Sequence, residues 1–244
     1  MVVVSGSNSQ SLAKDLAGEL GWEHHSIEAR RFPDSEGYIR IPEDAIDAVR
    51  KEPVVLVSNT FPDAGIVETL LLLEALRDVR EGRLENLKGI GPQELETVGP
   101  GVIVAIPYFG YSRQDKRFRP GEAISARAIG HLLASRCDGI VVFDLHAPAA
   151  LSDMEIPVAF TSAMPEIADH LENEISPDFI LSPDKGAIER ASAVAKAINK
   201  PFSYLEKIRI DAHTIIHKAK DLDVEGKVVA CLLYTSDAAD DSIR

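Results

Sequence analysis

The densest run of side chains able to do chemistry lies between Ile106 and Arg127, in IPYFGYSRQDKRFRPGEAISAR. Arg113, Lys116, Arg117 and Arg119 fall close together in a chain whose formal net charge is -13. A local cation cluster in an acidic protein draws a small anion and not a long polyanion. Tyr108, Phe109, Tyr111 and Phe118 are interleaved with these cations. Flat rings beside guanidinium groups suit a purine base next to its phosphates. The same composition also fits a solvated basic loop anchored by its aromatics, so the nucleotide reading needs companions elsewhere.

The other candidates are weaker one by one. Asp34, Ser35 and Glu36 lie between Pro33 and Gly37, which on its own reads as a solvated acidic hairpin. His146 follows Asp144 at the end of an apolar run. A lone histidine is more often structural, but this one sits beside a carboxylate at a strand end, where ligands gather. Asp184 reads as a helix cap. Lys207 and Arg209 alternate, as on the solvated face of a strand.

Short apolar runs must position these groups. Val102 to Ile106 reads as a buried strand, and Ile124 to Cys137 has helical spacing. Pro107, Gly110, Pro120 and Gly121 break regular structure between them. The order is strand, long loop, helix, and ligands gather where such loops leave the carboxyl ends of strands. Val2 to Val4, Val54 to Val57 and Ile140 to Phe143 read as further buried strands. The turn from Ser5 to Ser9 precedes a helix carrying Leu12, Leu16 and Leu20, which stops at Gly21. One of its Ser or Asn side chains can cap that helix. The turn could also cradle a phosphate, but a plain helix start is the preferred reading.

Pro62 and Asp63 start a helix with a broad apolar face: Ile66, Val67, Leu70, Leu71, Leu73, Leu76 and Val79. Arg80 to Gly101 reads as a glycine-rich surface insertion without catalytic content. A second unit begins near Ser162, with helices over 164–173 and 186–198 and a strand from Phe179 to Leu181. Alternating strands and helices predict an α/β fold with parallel sheets covered on both faces.

Composition narrows the classes. A chain of 244 residues holds one large domain or two ordinary ones, and 45% hydrophobic residues support a sizeable core. A pI near 5.0 argues against nucleic acid as the main partner. Two cysteines, Cys137 and Cys231, build neither a disulfide framework nor a zinc site and suit a reducing cytosol. The first ten residues lack the pattern of a signal peptide, and no apolar run approaches the ~18 residues of a membrane span. A cytoplasmic location is expected.

Pro107-Tyr108-Phe109-Gly110-Tyr111 followed by Arg113-Gln114-Asp115-Lys116 resembles the signature loop of ribose-phosphate pyrophosphokinases, also called phosphoribosyl diphosphate synthetases. The segment Arg31 to Arg40, Asp144-Leu145-His146-Ala147 and Tyr204 to Arg209 are similar to further motifs of that family. The resemblance implies two phosphoribosyltransferase-like halves, here 1–162 for ATP and 163–230 for an incomplete second half. It implies ATP contacts at Arg113, Gln114 and Asp115. It also implies ATP contacts at Phe32, Asp34, Ser35 and Glu36, reaching the site of a neighbouring subunit in a homo-oligomer. Ser35 stands where the family usually has glycine, and serine is less free at positive φ. The resemblance further implies magnesium at His146 and near Asp184, a catalytic lysine at Lys207 and a ribose 5-phosphate contact at Arg209.

The implied activity is diphosphoryl transfer from ATP to ribose 5-phosphate, for nucleotide biosynthesis, with no nucleic acid or membrane partner. A non-catalytic regulatory homologue and a salvage-type phosphoribosyltransferase remain as alternatives. The resemblance runs to about Ala230. The family's last motif, two acidic residues and a Thr-Gly-Gly-Thr turn, is replaced by CLLYTSDAADDSIR. Residues 231–244 are expected to be a non-native tail, because TGTCTCTTATACACATCTGACGCTGCCGAC, which resembles a sequencing-library adapter, encodes Cys231 to Asp240. The chain as given is then expected to be impaired as an enzyme.

Overall fold

Valine- and isoleucine-rich runs form the centre of the first unit. The computed structural model describes residues 1–84, 101–209, 215–219 and 224–232, with 207–209 and 215–219 described by backbone pairing. The chain divides into two compact units, Met1–Thr161 and Ser162–Arg244.

In the first unit, β1 (Val2–Ser5) leads through a short turn to α1 (Gln10–Leu20) and β2 (Glu23–Ser26). A hairpin of β3 (Glu28–Arg31) and β4 (Gly37–Arg40) precedes α2 (Glu43–Lys51), β5 (Val54–Val57) and α3 (Asp63–Arg80). Then come β6 (Val102–Ile106), α4 (Ser125–Ala134), β7 (Gly139–Phe143) and β8 (Val158–Thr161). The main sheet has the order β2-β1-β5-β6-β7-β8, and every neighbouring pair in it is parallel. Its inner strands β1, β5, β6 and β7 read as continuous apolar runs because helices cover both faces. Val2, Val4, Leu56, Val104, Ile106, Ile140 and Val142 pack with residues of α2, α3 and α4 on one side. Val3, Val55, Val57 and Ala105 pack with Ala13 and Ala17 of α1 on the other.

Two details depart from the sequence expectation. Of the three spaced leucines of α1 only Leu16 packs against the core: Leu12 and Leu20 are 50% and 46% exposed, whereas Ala13 and Ala17 are buried. Small side chains let α1 lie close on the sheet, and Leu12 and Leu20 fall to its flanks. The helix does stop at Gly21, in the left-handed region at φ 64°. No side-chain cap bond forms at its start, and the buried Ser9 hydroxyl has no hydrogen-bond partner. At the other end of the unit, Arg80 is buried and donates from Nη1 to the carbonyls of Val49 (2.9 Å) and Glu52 (2.8 Å), tying α3 to the end of α2. Its pKa is lowered by that burial.

The second unit holds α5 (Met164–His170), β9 (Phe179–Ser182), α6 (Ile188–Ala197), β10 (Phe202–Arg209), β11 (Ile215–Ala219) and β12 (Val229–Cys231). Its sheet runs β11-β10-β9-β12. β9 pairs in parallel with β10 and β12, but β10 and β11 are antiparallel, which the strand-and-helix alternation did not predict. Ala168, Ile180, Ala191, Val194 and Ile198 form its core. Residues 85–100, most of the expected insertion, and 233–244, most of the expected tail, lie outside the described residues.

Candidate functional site

The cation-bearing loop leaves the carboxyl end of β6, in the interior of the parallel sheet. It is fastened to the segment that follows β5. The Tyr108 amide donates to Asn59 Oδ1 at 2.9 Å, and the Thr60 amide donates to the Tyr108 carbonyl at 3.2 Å. The Gly110 amide donates to Thr60 Oγ1 at 2.8 Å. Glycine is required at 110, because a Cβ there would stand 2.1 Å from the Thr60 carbonyl oxygen. Phe109 is 2% exposed and sinks into the main core. Tyr111 takes a left-handed φ of 63°, and its hydroxyl donates to Asp63 Oδ1 at 2.7 Å. That bond, with the carboxylate charge, raises the Tyr111 pKa.

Beyond Tyr111 the loop is stapled to itself. The Gln114 amide donates to the Tyr111 carbonyl, and Gln114 Nε2 donates to the carbonyls of Lys116 (3.1 Å) and Ala123 (3.3 Å). Glu122 Oε2 accepts from the amides of Phe118 and Arg119, and Arg117 Nε donates to the Glu122 carbonyl. Lys116 lies 5.5 Å from the centre of the Phe118 ring. Arg113, Lys116, Arg117 and Arg119 are exposed, while Gln114 and Asp115 are half-buried. The Glu122 carbonyl and carboxylate organise the loop from within, holding Arg117 at Nε, while all four cationic side chains stay exposed. Such an arrangement offers several positive charges to an anion without costly burial.

Phe32, Asp34, Ser35 and Glu36 form the tip between β3 and β4. Those strands pair antiparallel with Arg30 opposite Tyr38 and Arg31 opposite Gly37. The Phe32 amide bonds the Glu36 carbonyl, the Ser35 amide bonds the Phe32 carbonyl, and the Glu36 amide bonds Asp34 Oδ1. Ser35 has φ 75°, the conformation for which glycine is usual, and Arg31 Nη1 holds its carbonyl at 2.6 Å. Arg30 lies over the rings of Tyr38 (4.2 Å) and Phe32 (5.1 Å). A cleft of about 850 Å³ separates the hairpin from α3 and the turn after β1, lined among others by Arg30, Ser35, Glu36, Ser7, Glu68 and Leu71. None of the residues lining it belongs to the loop after β6. The hairpin tip and the Arg113 loop are thus not joined in that cleft.

The turn after β1 already holds an anion of the chain's own. Glu68 accepts from the Ser7 amide at one carboxylate oxygen and from the Ser7 hydroxyl at the other, both at 2.6 Å. It serves as a helix start, with α3 supplying the carboxylate.

At the end of β7, Asp144 takes φ 44° and its amide donates to the Thr161 carbonyl at 2.8 Å. His146 follows on the exposed side of this bend. In the second unit, Asp184 Oδ1 accepts from the amides of Gly186 (2.7 Å) and Ala187 (3.1 Å), capping the turn into α6. Lys207 and Arg209 pair in register with His217 and Ile215 on β10 and β11. Among the described residues no three His, Cys, Asp or Glu side chains gather to cage a metal ion. Within the first unit, the exposed His146 beside Asp144 suits a magnesium ion held chiefly by phosphate oxygens and water, which needs only one or two protein contacts.

Sequence reasoning missed Asn59, Thr60 and Asp63, which fix the loop, and Glu68, which fills the turn. The first two follow the carboxyl end of β5, so the strand-end rule that marked the loop after β6 applies equally to them.

The comparisons with known proteins agree with one another. Residues 1–84 and 99–136 match the model for the N-terminal domain of ribose phosphate pyrophosphokinase. The ribose-phosphate pyrophosphokinase of Methanothermobacter thermautotrophicus is 38% identical over 228 residues, spanning 93% of this chain and 72% of that protein. That of Saccharolobus solfataricus is 33% identical over 237 residues, spanning 95% and 74%. The crystal structure of phosphoribosylpyrophosphate synthetase from Mycobacterium smegmatis shares the fold, with a TM-score of 0.67 at 23% identity, over 94% of this chain and 70% of that one. An α/β chain with this loop and these relatives belongs to the ribose-phosphate pyrophosphokinase family.

Proposed function

We propose that the chain transfers the β,γ-diphosphoryl group of ATP to the anomeric hydroxyl of ribose 5-phosphate. The hydroxyl oxygen bonds to the β-phosphorus, and the bond from that phosphorus to the α,β-bridging oxygen breaks. AMP leaves with that oxygen, and the hydroxyl proton passes to solvent. The products are phosphoribosyl diphosphate and AMP. The observation that carries this reading is the pinned loop of exposed cations and rings at the end of β6, in a member of this family.

Phosphoryl chemistry of this kind is mostly positioning and charge neutralisation. Arg113, with Gln114 and Asp115, orients the nucleotide. Phe32, Asp34, Ser35 and Glu36 contact the ATP of a neighbouring subunit in a homo-oligomer. Magnesium, when bound, neutralises phosphate charge, with His146 as the contact from the first unit. In the second unit, Asp184 is a metal contact, Lys207 the catalytic cation and Arg209 the ribose 5-phosphate contact. Two free thiols suit a cytoplasmic location.

Product analysis tests the reaction. Joined to the C-terminal segment of a relative, the chain incubated with ATP, magnesium and ribose 5-phosphate yields AMP and phosphoribosyl diphosphate in equal amounts. ADP as the nucleotide product, or no AMP, counts against the proposal. Arg113→Ala then weakens use of ATP by about 1.5–3 kcal/mol, the worth of a charge-assisted hydrogen bond. Unchanged KM and kcat for ATP remove Arg113 from the site.

A further inference from the structure

The loop between β6 and α4 has no regular structure of its own over residues 107–124, yet it must present Arg113 in one place. Something outside it has to set that place. We propose that Thr60 is a positioning residue for the nucleotide loop, acting with Asn59 and Asp63 as a clamp built on the link between β5 and α3. The proposal rests on the reading that this loop receives ATP.

The clamp closes on consecutive parts of the loop. Asn59 Oδ1 takes the Tyr108 amide, Thr60 Oγ1 takes the Gly110 amide, and Asp63 Oδ1 takes the Tyr111 hydroxyl. Thr60 also donates its own amide to the Tyr108 carbonyl, and its hydroxyl lies 3.4 Å from the same oxygen. The centre of the clamp is dry: Thr60 is fully buried, and Gly110 is buried against it. Water therefore cannot replace the Thr60 hydroxyl as acceptor for the Gly110 amide, and an orphaned buried amide is costly. The loop has to move to satisfy it. Gly110 passes that movement on through Tyr111, whose carbonyl holds the amide of Gln114, so Arg113 moves too. The Tyr111 hydroxyl is protonated near neutral pH, as an ordinary phenol is, and so donates to Asp63.

Thr60→Val keeps the side-chain shape and removes the acceptor, whereas Thr60→Ser keeps the acceptor. In the full chain, calorimetric titration with ATP and magnesium should show Thr60→Val binding about tenfold more weakly, the loss of roughly one hydrogen bond. Thr60→Ser should stay within about twofold of the parent. Hydrogen exchange at Gly110 and Tyr111 should be faster in Thr60→Val alone. A residue with only a structural role would lower the melting temperature of the folded variant and leave ATP affinity untouched, and that result overturns the proposal. Failure of the parent chain to bind ATP would instead remove the nucleotide reading. The exchange data then still decide the clamp, since unchanged protection of the Gly110 amide in Thr60→Val overturns it.

Discussion

Ser35 holds a backbone conformation that glycine adopts without strain. A non-glycine residue there costs about 1–2 kcal/mol, and glycine's extra freedom in the unfolded chain returns about 0.5–1 of it. Ser35→Gly should therefore stabilise the hairpin by roughly 0.5–1 kcal/mol. The gain should appear as slower amide exchange in β3 and β4, and faster exchange would contradict it. Cys137 gives a second residue-scale outcome. Burial raises its thiol from the ordinary value of 9.0 to about 11. The unfolded chain releases this proton first, so the folded state holds more protons between pH 9 and 11 and loses stability as pH rises through that window. Denaturation midpoints of Cys137→Ala should fall less steeply over the same range. Individual residues were legible where their spacing was unusual, as at Arg113. Thr60 was not, because a lone threonine acquires its meaning from the Gly110 amide, distant in sequence, that folds onto it.

At the scale of elements, β1, β5, β6 and β7 were readable because strands buried on both faces are unbroken apolar runs. The strand EHHS of β2 and the strands EARR and GYIR of the hairpin carry no such signal. They exist because a neighbour offers them hydrogen bonds, which no short window of sequence records. Packing between elements is similarly hidden. Gly130 lets α4 lie against the turn that holds Leu151, since a Cβ there would stand 2.4 Å from Leu151 Cδ2 and 3.3 Å from Met154 Sδ. Two effects oppose each other in Gly130→Ala. Helix propensity favours alanine by about 0.8–1 kcal/mol, while overpacking costs about 1–3. Leu151 is only 2% exposed and has little room to turn aside, so the overpacking wins. The variant should lose about 1 kcal/mol in chemical denaturation, and a gain in stability would show that Leu151 moves freely.

Across the whole molecule, each unit has a core and a sheet of its own. We propose the boundary at Ser162 as a folding boundary. A fragment of residues 1–161 keeps all six strands of the first sheet and should unfold cooperatively, as monitored by circular dichroism. A fragment lacking a cooperative transition would show that the first unit depends on the second. Among the described residues no helix is long and apolar enough to cross a membrane. The net charge of -13 makes the basic loop after β6 an exception on an otherwise acidic chain. Its attraction for anions is therefore local and weakens with salt.

Glu68 gives the turn after β1 a further property. A carboxylate carried on α3 and bonded to both the amide and the hydroxyl of Ser7 is a tethered ligand. Tethering gives such a group an effective concentration of at least the millimolar order. Phosphate or sulfate added to a buffer must displace it before either can occupy that turn, so these ions meet a competitor that dilution does not remove.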